Sequence, residues 1–189
     1  MTKQNGPHFD EDHLRQGSPV NTTFVESIPR YLGGTDGAIA ATGVCLAVAV
    51  PVQVGDLLSN VTFVTGGTGA GTPTAGVVGI YNAAGALVAS SADLATTARA
   101  ADTAYTVAMT TPYLVTVAGI YWVSISFTAT TVPTLVGLAL DNAAIADDIG
   151  TTPATAVLVQ SHGSAVAGTA PATIATPTVT AVMPYVAVT

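Results

Sequence analysis

The sequence is short of charge. Charged residues make up 8% of its 189 residues, hydrophobic residues make up 49%, and the net charge is −7. From Tyr31 onward the only basic residue is Arg99, alongside seven aspartates. Nucleic-acid binding is therefore not expected, because contacts to phosphates need clustered lysine and arginine side chains. A surface with so little charge also favours an assembly over a free monomer, because charge repulsion does little to keep molecules apart.

Cysteine, long apolar runs and a signal peptide are lacking as well. Cys45 is the only cysteine and falls in an apolar run, so no intrachain disulfide is expected and a structural side chain is favoured over a nucleophile. No apolar stretch reaches the ~20 residues that cross a bilayer, and no membrane association is expected. Met1 is followed by a polar segment rather than an apolar signal region, which predicts synthesis in a cytoplasm.

What the sequence does contain is a series of short stretches with a period of two. In residues 119–127, one strand face carries Tyr121, Val123, Ile125 and Phe127, and the other face begins with Trp122 and is otherwise serine. This pattern predicts a half-buried β-strand. Other strand-like stretches cover residues 44–54, 58–64, 77–81, 87–89, 105–109, 113–117, 135–140, 157–159 and 182–188. Many short strands without long helices predict an all-β fold, an antiparallel β-sandwich of jelly-roll type.

Residues 1–30 differ from the rest of the chain. They hold three of the four basic residues and two of the three histidines, and they show no sustained hydrophobic period. This composition predicts an extended N-terminal arm, followed by a β-sandwich domain over residues 31–189. Such an arm orders against a partner protein or its own domain. The candidate partner-binding residues of the arm are His8, Phe9, Asp10, Leu14, Arg15, Phe24 and Arg30.

A metal site in the arm is the competing interpretation. His8, Asp10, Glu11, Asp12 and His13 are ligand types that zinc accepts. A metal site needs a rigid scaffold, however, and these residues lie in the least structured part of the sequence. A charged, partner-facing arm is therefore favoured, and neither a metal nor a cofactor is predicted.

Motifs for catalysis are also missing. Residues 66–71 are rich in glycine but lack the Lys-Ser/Thr ending of a phosphate-binding loop. The chain has no Gly-x-Ser-x-Gly sequence, and His162 is the only histidine of the predicted domain. The aspartates mostly occupy turn-like positions, so a hydrolase with paired carboxylates is a weak alternative. We expect a protein that is not an enzyme.

Trp122 has two interpretations. Aromatic side chains on a sandwich face can stack on sugar rings, which would make the protein a glycan-binding module and would require Trp122 to be exposed. A single tryptophan can equally cover the second face of a buried strand or an interface with a neighbouring subunit. The second interpretation is favoured because only 6% of the residues are aromatic.

Three stretches carry a resemblance to a known family. They read Val54-Gly-Asp-Leu-Leu-Ser-Asn-Val-Thr-Phe63, Gly79-Ile-Tyr-Asn-Ala-Ala-Gly85 and Gly119-Ile-Tyr-Trp-Val-Ser-Ile-Ser-Phe127. Over residues 38–140 the chain resembles a β-sandwich domain of bacteriophage virion proteins, in which a Gly-Ile-Tyr-Asn-x-x-Gly hairpin precedes a Gly-x-Tyr-Trp strand. Such domains occur in tail fibres, minor tail proteins and capsid decoration or head-fibre proteins, particularly of phages that infect actinobacteria. The resemblance implies no catalytic residues.

The resemblance implies a structural protein on the surface of a virion, made in the cytoplasm of the bacterial host. A short arm and one domain, without heptads or a repeated shaft, favour a capsid decoration (minor capsid or cement) protein. Its expected partners are the major capsid protein or another virion protein, and copies of itself, with a trimer favoured. The alternative is a tail-associated or fibre receptor-binding module that recognises a host surface glycan.

Overall fold

The computed structural model describes residues 23–39, 41–95, 98–140 and 157–189. Within these ranges the only helix is a single turn of 3-10 helix, Arg30–Leu32. None of the described residues form a helix long and apolar enough to cross a membrane. The strands are β1 (Val25–Glu26), β2 (Thr35–Ala38), β3 (Cys45–Val52), β4 (Leu57–Val64), β5 (Gly71–Tyr81), β6 (Leu87–Ser90), β7 (Ala104–Leu114), β8 (Gly119–Thr131), β9 (Thr134–Ala139), β10 (Val159–His162), β11 (Thr178–Val179), β12 (Val182–Pro184) and β13 (Val186–Val188).

Two antiparallel sheets face each other. The larger has the strand order β11-β10-β3-β8-β5-β6, and the smaller has the order β1-β13-β4-β7. From β3 to β9 the chain changes sheet at every connection except the hairpin between β5 and β6. This alternation is the wiring of a jelly roll, so the predicted all-β sandwich of jelly-roll type is confirmed.

A short third sheet extends the smaller one. Its strand order is β12-β9-β2, and a bridge between Thr65, just after β4, and Leu135 of β9 joins it to β4. The Tyr185 amide between β12 and β13 also donates to the Val136 carbonyl at 2.9 Å. Near the end of the chain, β12 therefore pairs with β9, and the next strand, β13, pairs with β4 on the same side of the sandwich.

Strand β8 is central, and both of its faces are buried. Tyr121, Val123, Ile125 and Phe127 lie in the main core between the sheets, as the period of two predicts. Burial of each such side chain stabilises the fold by about 1.5–3 kcal/mol. The opposite face, which includes Trp122, is buried too. The expectation of a half-buried strand is therefore wrong for this element.

The second face of β8 is covered by residues 163–176, which we call the cover segment. It is held by main-chain hydrogen bonds from Val166 to Gly43 at 2.9 Å, from Leu87 to Ala172 at 2.9 Å and from Ile174 to Gly85 at 2.8 Å. Beneath it, the six-stranded sheet presents small side chains, such as Cys45 and Ala47. Small side chains let a segment without regular structure pack closely onto a sheet.

Candidate functional site

The structure describes two of the seven arm residues predicted to bind a partner. His8, Phe9, Asp10, Leu14 and Arg15 lie outside the described residues, as do the candidate metal ligands Glu11, Asp12 and His13. Phe24 and Arg30 are described and contact each other, with the guanidinium carbon 5.3 Å from the Phe24 ring centroid. The described part of the predicted arm is residues 23–30, which we call the root of the arm.

This root belongs to the sandwich. Val25 and Glu26 form β1, which pairs with β13, and residues 25–28 are all buried. The Ser27 hydroxyl donates to the Pro184 carbonyl at 2.8 Å and accepts from the Val186 amide at 3.0 Å. The last residues of the predicted arm therefore contribute to the core, although their composition alone did not predict a strand.

Glu26 is the polar centre of the root. Its side chain is fully buried, and Oε1 accepts hydrogen bonds from Arg30 Nε at 2.8 Å and from the Tyr185 hydroxyl at 2.6 Å. Burial together with the hydrogen bond to Glu26 raises the pKa of Tyr185 to about 12. The same carboxylate raises the pKa of Arg30 through its hydrogen bond and its charge. Charge-assisted hydrogen bonds of this kind fix the direction in which the chain leaves the sandwich.

An exposed apolar surface lies beside the root. Val54, Leu57, Leu114 and Val117 are 66%, 46%, 56% and 67% exposed, and we call these four residues the apolar tip. Leu57 and Leu114 are cross-strand partners on β4 and β7. The turns that carry Val54 and Val117 are joined by hydrogen bonds between residues 55–56 and Val115. Four large exposed aliphatic side chains at one end of a domain indicate an interaction surface.

The arm begins at this tip. The Leu57 amide donates a hydrogen bond to the Thr23 hydroxyl at 2.8 Å, so the first described residue of the chain is attached to the apolar tip. Thr23 and the apolar tip therefore lie at the same end of the domain.

Trp122 is buried and cannot act as an exposed stacking platform. It is 5% exposed, packs with Ala47, Ala49 and Tyr81, and points its Nε1 toward the Val157 carbonyl at 3.4 Å. The glycan-binding interpretation required this ring to be exposed, and the structure removes that basis for it. The favoured interpretation predicted a tryptophan that covers the second face of a buried strand, and that is its position.

A cluster of unpaired polar groups lies under the cover segment. His162 of β10 is the register partner of Cys45 of β3, and Ser124 and Ser126 lie on the neighbouring strand β8. Among the described residues, no hydrogen-bond partner is found for either nitrogen of His162, and the two serine hydroxyls have only the weakly accepting Cys45 thiol and the Tyr81 hydroxyl as neighbours. The imidazole instead meets the Tyr81 ring edge to face, with centroids 5.2 Å apart.

Catalysis by this cluster is disfavoured by its protonation states. Burial raises the pKa of the Cys45 thiol to about 11 and lowers the pKa of His162 to about 4. At neutral pH the cluster therefore holds a thiol and a neutral imidazole, both closed off from solvent. A nucleophilic cysteine needs the opposite shift of its thiol, together with access to a substrate.

Three of the described aspartates accept hydrogen bonds from main-chain amides. Asp36 accepts from the Gly67 amide at 2.6 Å, Asp56 from the Gln53 amide at 2.7 Å, and Asp93 from the Gly76 amide at 2.9 Å. Of these three contacts, only that of Asp56, three residues apart in sequence, is the local contact that a turn position predicts. For Asp36 the expectation of a turn is wrong, because this residue lies within β2 and pairs with Val136 of β9. In the part of the chain that the structure describes, no three histidine, cysteine or acidic side chains come together as a metal site would require.

Comparison with known proteins adds no relative. No protein-family model matches the chain, and no curated protein matches it.

Proposed function

We propose that this protein is a structural component of a bacteriophage virion, a capsid decoration protein that attaches through its N-terminal arm and apolar tip. The observation that carries the proposal is the hydrogen bond between Leu57 and Thr23, which attaches the residue that follows the polar sequence 1–22 to a strand with exposed aliphatic side chains. The N-terminal arm and the apolar tip would bind the same partner surface together. Each would raise the effective concentration of the other.

The jelly roll and the three stretches that resemble phage virion domains support the same proposal. Those stretches form the turn before β4 with β4 itself, the β5–β6 hairpin, and β8. In the hairpin, Asn82 accepts from the amides of Ala84, Gly85 and Ala86, and Gly85 has a φ of +74°, which favours glycine. The attachment surface on the partner, a major capsid protein or another virion protein, would be apolar. The protein would act by contact area and mass action, without chemistry or a cofactor.

Particle incorporation tests the proposal. Phage particles would be assembled in a host that supplies every virion protein except this one, and purified variants would then be added. Deletion of residues 2–22 removes the arm but keeps β1, and we expect this variant to be absent from the particles. Full occupancy by the truncated protein would exclude an anchoring arm, and absence of the intact protein from purified virions would exclude the virion function itself.

Substitutions in the apolar tip test its share of the attachment. The double variant Leu57→Ser and Val117→Ser is expected to lower occupancy, because both side chains are exposed and lie at the root of the arm. Tyr31→Ser is the matched control, since Tyr31 is 77% exposed and belongs to the 3-10 helix rather than the tip. Equal occupancy of the tip variant and the control would remove the tip from the proposal.

Self-association, with a trimer favoured, is the second part of the proposal. The outward face of β4 and β7 is uncharged, with exposed Ala104 and Ala108 and a hydrogen bond of 2.8 Å between the Thr62 and Thr106 hydroxyls. An uncharged face of small side chains lets two copies approach without desolvating charges. Sedimentation equilibrium of the purified protein is expected to give a trimer, and a monomer at micromolar concentration would contradict this part.

A further inference from the structure

Arg99 is a buried cation in an acidic domain. It is the only basic residue after Arg30 and is 5% exposed. Its main chain is fixed by a hydrogen bond from the Ala70 amide to the Arg99 carbonyl at 2.8 Å. Its guanidinium carbon lies 4.6 Å from the centroid of the Tyr105 ring. The ring faces the positive charge but accepts no conventional hydrogen bond from the guanidinium.

No acidic partner neutralises this cation within the described residues. Nε of Arg99 is buried without a hydrogen-bond acceptor, and the ion pair found there joins Arg30 to Glu26 instead. Burial lowers the pKa of Arg99, yet an arginine stays protonated at neutral pH. A buried charge that lacks a protein partner is costly, and such groups concentrate where a ligand supplies the missing charge.

An open cleft lies beside Arg99. It is lined by Ser91, Leu94, Arg99, Tyr105, Thr106 and Ala108, among others. Its three hydroxyls already take part in hydrogen bonds. Ser91 accepts from the Val78 amide at 3.0 Å, Thr106 bonds to Thr62, and the Tyr105 hydroxyl accepts from the Ala100 amide at 2.6 Å. Arg99 is the only charged side chain among the described residues that line the cleft, and most of the other lining residues are apolar.

We propose that this cleft binds a monocarboxylate ligand, with the carboxylate paired to Arg99 and an apolar body against Leu94 and the Tyr105 ring. A guanidinium offers a carboxylate two parallel hydrogen bonds. One negative charge suits the site better than two, because the cleft lining contains a single cation and a dianion would leave excess buried charge. The proposal is independent of the virion function.

The Arg99 side chain itself reports binding. In ¹H–¹⁵N spectra of the intact protein, butyrate is expected to shift the Arg99 Nε–H signal in a saturable way, while sodium chloride at equal ionic strength leaves it unchanged. The Nε–H of Arg30 is the internal control, because it already donates to Glu26. A lack of response to butyrate, or an equal response to chloride, would overturn the site. A stronger response to inorganic phosphate than to butyrate would overturn the assignment to monocarboxylates.

Variants provide a second test. Arg99→Lys is expected to bind butyrate at least about tenfold more weakly, because an ammonium group cannot form the paired hydrogen bonds of a guanidinium. Its binding would be measured by calorimetry after circular dichroism has shown the fold to be intact. Unchanged affinity in a folded Arg99→Lys variant would contradict the proposal, and the titration of the wild-type protein decides the matter if the variant does not fold.

Discussion

Glu26, Arg99 and His162 are buried in the described part of this charge-poor protein, and each is accommodated differently. Oε1 of Glu26 accepts hydrogen bonds from Arg30 and Tyr185. Arg99 keeps its charge against an aromatic ring at the end of a cleft. His162 has neither an acceptor nor an acidic neighbour among its described contacts and stays neutral. Oε2 of Glu26 and Nε of Arg99 are buried without a hydrogen-bond partner among the described residues, whereas His162 avoids the cost of a buried charge by staying neutral.

His162 makes the fold sensitive to acid. Burial lowers its pKa to about 4 in the folded protein, from an ordinary value of about 6.5, so the unfolded chain takes up the proton first as the pH falls. Stability is lost between these two values, by at most about 3 kcal/mol. His162→Phe keeps an aromatic ring beside Tyr81 and removes the titration. We expect this variant to lose less unfolding free energy than the wild type between pH 7 and pH 4.5, measured by urea denaturation. An equal loss in both proteins would contradict the prediction.

Tyr185 is expected to stabilise the root of the arm through its hydroxyl. Tyr185→Phe removes one of the two donors to the buried Glu26 carboxylate, and hydrogen bonds to charged groups contribute about 1.5–3 kcal/mol. Tyr31→Phe is the matched control, because Tyr31 is 77% exposed and its loss should change stability by less than about 0.5 kcal/mol. Urea denaturation at neutral pH measures both. Equal stability of the two variants would show that the buried carboxylate does not depend on Tyr185.

At the scale of elements, the sequence predicted strands but not everything that covers them. Strand β8 has the period of two that identifies its core face, and that face is where the pattern predicts. Its other face is covered by the cover segment, which lies about forty residues downstream and has no period of its own. The small residues Cys45, Ala47 and Ala49 on β3 are the one hint that something packs there. Period alone cannot separate such a face from a solvated one.

Strand β1 was missed for a different reason. It is two residues long, too short for a period, and it follows a polar segment. Its burial depends on pairing with β13, at the other end of the sequence. Long-range pairing of this kind leaves no local trace in composition, so the root of the arm could only be recognised in three dimensions.

Gly137 is essential to the short third sheet. It lies on β9, paired with Pro184 of β12 and Thr35 of β2, and a Cβ there would overlap the Met183 carbonyl. Gly137→Ala is expected to destabilise the protein by about 1–3 kcal/mol, because the main chain of β12 must move. Gly34→Ala is the matched control, since a Cβ at Gly34 meets nothing within 4 Å. Thermal unfolding compares them, and equal melting temperatures would contradict the prediction.

At the scale of the whole molecule, the position of β1 divides the arm into a removable part and a structural part. Deletion of residues 2–22 should leave the melting temperature near that of the intact protein. Deletion of residues 2–30 removes Val25, Glu26 and Ile28 from the core, so we expect a large loss of stability or failure to fold. Circular dichroism melts of both truncations test this. Equal melting temperatures would mean that β1 contributes little to the sandwich.

The candidate sites were predictable only in part. The sequence separates residues 1–30 by composition and singles out Arg99 as the last basic residue. It cannot show that Thr23 is attached to Leu57, or that the tip combines the ends of β4 and β7 with two turns that are distant in sequence. Nor can it show that Arg99 is buried without an acidic partner, since that depends on how the 98–101 segment lies against β7. Properties of composition were predictable, and properties of juxtaposition were not.

The burial of Trp122 provides the protein with an optical probe. It is the only tryptophan in the sequence, and it lies on the face of the six-stranded sheet that the cover segment shields. Intrinsic fluorescence excited at the indole band therefore reports a single position. The emission wavelength of Trp122 and its quenching by acrylamide depend on whether the cover segment stays in place. They report on this segment rather than on the core between the two sheets. Release of that segment on acidification can therefore be followed without any label.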